Sequence, residues 1–161
     1  MKKKLLLLVA VFCFLGVSVQ AQSIKTMTKG SLVGSARAGF SGYGIPVAVA
    51  ADYGILSGFI NGNAAVSVGG ELGIFAGNDE ERGAFVDFSL AARGSFHYEF
   101  VQNLDTYAGV HVGLGIGDNL WPYITGHIGA RYYFNERFGV NAEIGAGTGF
   151  NLSAGVSYKF L

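Results

Sequence analysis

Cysteine is almost absent from this chain. Its single cysteine, Cys13, lies inside an apolar run near the N-terminus, so the remainder offers no disulfide and no thiolate chemistry. Tryptophan occurs once and proline twice. Charge is scarce at 14% of residues, and beyond the first 21 residues Lys and Arg form no cluster, which argues against a nucleic-acid partner. After the first 21 residues no apolar run reaches the roughly 20 residues that a membrane-spanning helix needs. No segment keeps a helical hydrophobic period, and no linker or charge run divides the chain.

What is abundant is apolar residues, at 50% of the chain, and glycine, at 26 residues. Residues 1–21 carry the three parts of an export signal: Lys2, Lys3 and Lys4, then the apolar stretch Leu5 to Val17, then Val19-Gln20-Ala21. Cleavage is expected before Gln22, leaving residues 22–161 as one domain. Cys13 sits within the apolar core behind Phe12, the wrong place for lipid attachment. The leader takes three of the 11 basic residues, leaving eight against 11 acidic ones and a mildly acidic mature chain.

The mature chain alternates. From Phe138, residues Val140, Ala142, Ile144 and Ala146 share one parity, while Asn141, Glu143 and Gly145 share the other. A period of two marks a strand with one apolar and one polar face. Eight such segments follow one another: 30–41, 46–55, 64–76, 83–100, 104–117, 122–134, 138–147 and 150–160. Short connections rich in Gly, Asn and Asp separate them, among them 41–45, 56–63, 77–82 and Thr148-Gly149. High apolar content spread over eight short strands behind an export signal predicts an all-β fold. The expected form is an eight-stranded antiparallel up-and-down transmembrane β-barrel. A soluble barrel with its apolar parity buried is the rival, because alternation alone does not say which face points inward.

Parity also sorts the side chains. Arg37, Asp52, Glu71, Asp87, Arg93, His97, Glu99, Asp105, His111, His127, Arg131, Glu143 and Lys159 are expected to face the lumen. Charges of both signs cannot meet lipid cheaply, and a bore of eight strands holds little beyond its own side chains. Folding the 104–134 hairpin about Asn119 sets His111 directly opposite His127. Folding the preceding hairpin about Gln102 sets Arg93 beside His111. Arg93, His111 and His127 are thus the candidate polar cluster of the lumen. Two histidines are too few for a metal site, and an adjacent arginine repels a cation. No metal, cofactor or catalytic residue is therefore assigned. The aromatics are expected in two girdles, with Tyr98, Phe100, Tyr132, Phe134, Phe138, Tyr158 and Phe160 near the rim holding the termini. Phe40, Phe75, Phe85, Trp121, Tyr123 and Phe150 are placed near the other.

Three stretches carry a family resemblance: Gly129 to Val140, Asp105 to Val110, and Gly155 to Leu161. They resemble the small outer-membrane β-barrel domain family, related in architecture to the OmpA transmembrane domain and OmpX. That family often ends in phenylalanine, read by the barrel-assembly machinery. Here Phe160 is penultimate and Leu161 last. The resemblance implies a barrel in the outer membrane of a Gram-negative cell, in contact with outer-membrane lipid and lipopolysaccharide and inserted by that machinery. The expected role is structural or envelope-related, without a reaction. A narrow porin-like passage for small solutes stands as the alternative. A lipid A-modifying enzyme and an adhesion or ligand-binding barrel are remoter ones. Ser95, His97 and Glu99 share the inward face, but close to the termini.

Overall fold

The computed structural model describes residues 25–42, 44–146 and 150–161. The export signal, Cys13 and the Thr148-Gly149 connection lie outside the described residues. Eight strands follow in order: β1 (Leu32–Ser41), β2 (Ile45–Phe59), β3 (Ala64–Asp79), β4 (Gly83–Val101), β5 (Leu104–Ile116), β6 (Leu120–Tyr133), β7 (Phe138–Ala146) and β8 (Phe150–Lys159). Each pairs antiparallel with the next, and β8 pairs with β1, so the sheet closes into a barrel without an edge.

The alternation runs the way a membrane demands. Along β5 the side chains of Ala108, Val110, Val112, Leu114 and Ile116 are exposed, while Asp105, Tyr107 and His111 are buried. Exposure reaches 75% at Ile124 and falls to 0% at Asp52 and Arg131. Apolar residues clothe the outside of the whole barrel and polar ones fill its inside. In water that arrangement would expose an apolar band around the entire molecule, which rules out the soluble alternative.

Two hairpins extend further than expected. β2 continues to Phe59 and β3 to Asp79, because Gly77 and Asn78 pair with Phe85 and Ala84. The connections shrink to 60–63 and 80–82. The turn after β2 places Ile60, Asn61 and Gly62 successively at φ 49°, 60° and 81°. Between β4 and β5, Asn103 takes φ 66°, a conformation asparagine tolerates better than most residues. After β6, the Asn135 side chain accepts from the amides of Arg137 and Phe138, at 2.9 and 2.8 Å, and shapes the turn into β7.

The girdle at the termini forms as expected. Tyr98 packs on Phe100, Tyr132 on Phe134, and Tyr158 on Phe160, with ring centres 4.6, 5.6 and 5.0 Å apart. At the other rim the structure corrects the expectation. Phe40 points outward, but Phe75, Phe85, Trp121 and Tyr123 share the inward parity and line the mouth from within. The side chain of Phe150 is outside those described.

The first strand starts at Leu32 and not at Gly30 as expected, and residues 25–29 were not foreseen as structure. Residues 25–31 turn into the mouth at the termini, burying Thr26, Met27 and Ser31. Met27 joins Val33 and Ala65 in a small apolar cluster. The Lys25 ammonium donates to the Gly62 carbonyl at 3.0 Å, and the Lys159 ammonium to the Lys25 carbonyl at 2.8 Å.

Candidate functional site

Seven of the strands send a charged side chain into one layer across the bore. β1 contributes Arg37, β2 Asp52, β3 Glu71, β4 Arg93, β5 Asp105, β6 Arg131 and β7 Glu143. Arg93 is the hub. Its Nε lies 3.0 Å from Asp52, and its two terminal nitrogens lie 2.8 Å from Glu71 and 2.9 Å from Glu143. Arg37 pairs with Glu71, and with Glu143 at 3.0 Å. Arg131 pairs with Asp52 and stands 3.6 Å from Asp105. The Tyr107 hydroxyl donates to Glu143 at 2.9 Å, and the Arg131 guanidinium lies over the Tyr107 ring, 4.5 Å from its centre. Desolvating a guanidinium and a carboxylate costs several kcal/mol each, so such groups persist inside only when tied together this closely.

The candidate cluster Arg93, His111 and His127 sits at this layer. Arg93 lies directly opposite His111 in the β4–β5 register. His111 does not face His127: it lies opposite Thr125, and His127 lies opposite Gly109. The hairpin folds about Asp118 rather than Asn119, which slides the two histidines out of direct register. Their rings still stack, with centres 4.3 Å apart. His127 Nε2 contacts Ser95 Oγ at 2.9 Å and Arg93 at 3.3 Å.

Two further arrangements escaped the sequence reading. Toward the termini, Ser67 Oγ lies 2.8 Å from His97 Nε2, and His97 Nδ1 lies 2.9 Å from Asp105. This is the order of a serine–histidine–aspartate relay. Ser67 is completely buried, however, and lines neither the cavity at this mouth nor the one at the other. A substrate has no approach to its oxygen. Parity places all three residues inward, but which residue of β4 Ser67 meets depends on the register of the β3–β4 hairpin, whose turn centre the sequence does not mark.

The second arrangement is a cup. Beyond the ionic layer, at the mouth away from the termini, a cavity of about 870 Å³ opens outward. Glu71, Glu143, Arg37 and His111 line its floor, and Phe75, Phe85, Trp121 and Tyr123 its wall. The lumen is thus filled at mid-depth but not throughout. The sequence carried the signal: Trp121 and Tyr123 have the parity of His127, and they stand opposite Gly115 and Gly113, where absent side chains leave room. A Cβ on Gly115 would come within 2.1 Å of the Trp121 indole. Glu71, His111 and Glu143 bring potential ligand atoms within 4.8 Å of one another. Both carboxylates are also held by Arg37 and Arg93, so fixed cations already take the charge a metal would use.

Comparison with known proteins places the architecture. A de novo designed transmembrane β-barrel superposes with a TM-score of 0.61 at 18% identity, over 83% of this chain and 98% of the design. The N-terminal barrel domain of Pseudomonas aeruginosa OprF gives 0.60 at 16% identity, over 82% and 98%. Neisserial surface protein A gives 0.60 at 14%, over 81% and 95%. These similarities establish the fold. No curated protein matches the sequence. The family described as a domain of unknown function (DUF2715) matches residues 9–160.

Proposed function

The chain belongs to the DUF2715 family, and from its architecture we propose that it is an integral outer-membrane protein with a structural role in the envelope of a Gram-negative cell. In this reading residues 1–21 are a cleaved export signal. The barrel is of the OmpA and OmpX kind, inserted by the barrel-assembly machinery and surrounded by lipid and lipopolysaccharide. Both termini and the segment 25–31 face the periplasm, and the cup opens to the exterior.

One observation carries the structural reading over the porin-like one. The Arg93 hub ties β4 to β2, β3 and β7 across the bore, and Arg93, Asp52 and Arg131 have no solvent-exposed side-chain surface. A solute crossing the lumen would have to break buried ion pairs, each costing several kcal/mol to leave open. The segment 25–31 covers the far mouth as well.

The test has two parts. Mature protein refolded into detergent should migrate differently on a denaturing gel when unboiled, as closed barrels do. In planar bilayers it should show no steady single-channel conductance. Conductance that rises in Arg93→Ala but is already present in the wild type would favour the porin-like reading. The relay order of Ser67, His97 and Asp105 calls for one control. Lipid A mass should be the same in cells expressing wild type and Ser67→Ala. A mass change abolished by the variant would make the protein an enzyme.

A further inference from the structure

The cup is too large and too open to be a packing defect, and its chemistry is selective. Its volume lies within the roughly 300–1,000 Å³ of small-molecule sites, which combine mostly apolar walls with a few placed polar groups. Its charges are already matched. At the rim, the two terminal nitrogens of Arg82 donate to Asp87 at 3.0 and 2.9 Å, and Nε donates to Asp118 at 2.8 Å. Asp118 is otherwise in water, with 73% of its side chain exposed. On the floor, Arg37 and Arg93 each bridge Glu71 and Glu143. An incoming ion of either sign would have to displace one of these partners.

Two groups of the lining keep a nitrogen without a hydrogen bond, Arg37 at Nε and His111 at Nε2. His111 is 94% buried by its 6% exposure, and its Nε2 makes no hydrogen bond. Thr125 Oγ1 lies 3.4 Å from Nδ1, on the other side of the ring. Nε2 faces Glu71 across a gap of 3.7 Å. With Thr125 donating to Nδ1, Nε2 carries the proton, and since the facing Glu71 oxygen already accepts from Arg37 and Arg93, that proton is left without a partner. A ligand hydroxyl within the cup can accept from Nε2. Trp121 and Tyr123, large apolar side chains with polar tips, line the same cavity.

We propose that the cup binds a neutral, hydroxyl-rich ring, a saccharide unit. One ring hydroxyl accepts from His111 Nε2, and the apolar face of the ring lies against Trp121 and Tyr123. The site rests on the barrel reading above, and specifically on the cup opening to the exterior.

Trp121 is the only tryptophan, so its emission reads the cup directly. The mature protein is refolded in a detergent without a sugar head group, such as lauryldimethylamine oxide. It is then titrated separately with galactose, N-acetylglucosamine, maltose, glucuronate, choline and Zn²⁺. A saturable emission change is expected with at least one neutral sugar, with weaker binding of glucuronate. Tyr123→Ala should weaken binding about tenfold, as loss of one stacking ring does. His111→Phe, which keeps an aromatic ring and removes the nitrogen, should weaken it as well. Heat-dependent gel mobility establishes that each variant is folded. That separates a failure of this proposal from a failure of the barrel. A folded protein that answers none of the neutral sugars overturns the proposal. So does a response confined to choline or to Zn²⁺, or binding unchanged in both variants.

Discussion

At the scale of single residues, the ionic layer and the inward glycines set the tolerances. Arg93→Ala strips partners from Asp52, Glu71 and Glu143 at once. Breaking one buried pair typically costs about 3–5 kcal/mol, and Arg93→Ala should fall at or above that range. The urea midpoint of the refolded barrel measures it. Glycines divide by what a methyl would meet. At Gly155 a Cβ would stand 1.8 Å from the Ala36 carbonyl oxygen, which is backbone and cannot step aside; at Gly94 it would meet nothing within 4 Å. Gly155→Ala should cost about 1–3 kcal/mol, and Gly94→Ala less than about 0.5 kcal/mol. Equal midpoints for the two would contradict this account. Parity alone identified Arg93, His111 and His127 as lumenal. It paired Arg93 with His111 because the body of the β4–β5 hairpin is centred on Gln102, the irregularity being confined to the stretch between Tyr98 and Val101. It misjudged His111 against His127 because the centre of the β5–β6 turn differs by one residue, which shifts the register by two. The partners of Arg93 on β2 and β7 were beyond its reach, since they depend on the stagger of the closed barrel and not on any one hairpin.

At the scale of elements, the turn after β2 and the segment before β1 make separate predictions. Ile60 is β-branched, half in solvent, and holds φ 49°. Such a residue in the left-handed region costs about 1 kcal/mol or more. Ile60→Asn should therefore raise the urea midpoint, and a fall would show that the side chain matters in its own right. The segment 25–31 roofs a space of about 220 Å³ that His97 lines. Deleting residues 25–29 should leave the barrel heat-modifiable while speeding the labelling of His97 by diethylpyrocarbonate. An unchanged labelling rate would mean the segment is not the barrier. Eight strands were legible because lipid outside and polar groups inside enforce a period of two, most plainly from β3 onward, since alanine and glycine blur it in β1 and β2. The ends of β2 and β3 were not, because Gly77 and Asn78 read as turn residues until their partners on β4 are known. Residues 25–29 were missed, and 30–31 taken as strand, for a related reason. The segment has no period, and its burial comes from the mouth it enters.

At the scale of the molecule, the apolar exterior is meaningful only in a bilayer. Val112 lies on the outer face at the middle of β5, with 54% of its surface exposed. Val112→Arg should cost about 2–4 kcal/mol in lipid vesicles if it sits at the midplane, and much less near a rim. The cost in vesicles, compared with Val86→Arg near the distal rim, locates the membrane along the barrel. Closure has a further consequence, in time. Val33 pairs with Lys159 and Ser41 with Asn151, so the first strand waits for the last. Neighbouring hairpins are local and quick to form, but the seam joins opposite ends of the chain, and contacts of such separation slow folding. Until β8 arrives, β1 and β7 each present a raw row of amides and carbonyls. A ribosome that stalls before Phe150, or a nonsense codon there, yields no smaller barrel. It yields a sticky, protease-prone chain that the cell must shepherd or destroy.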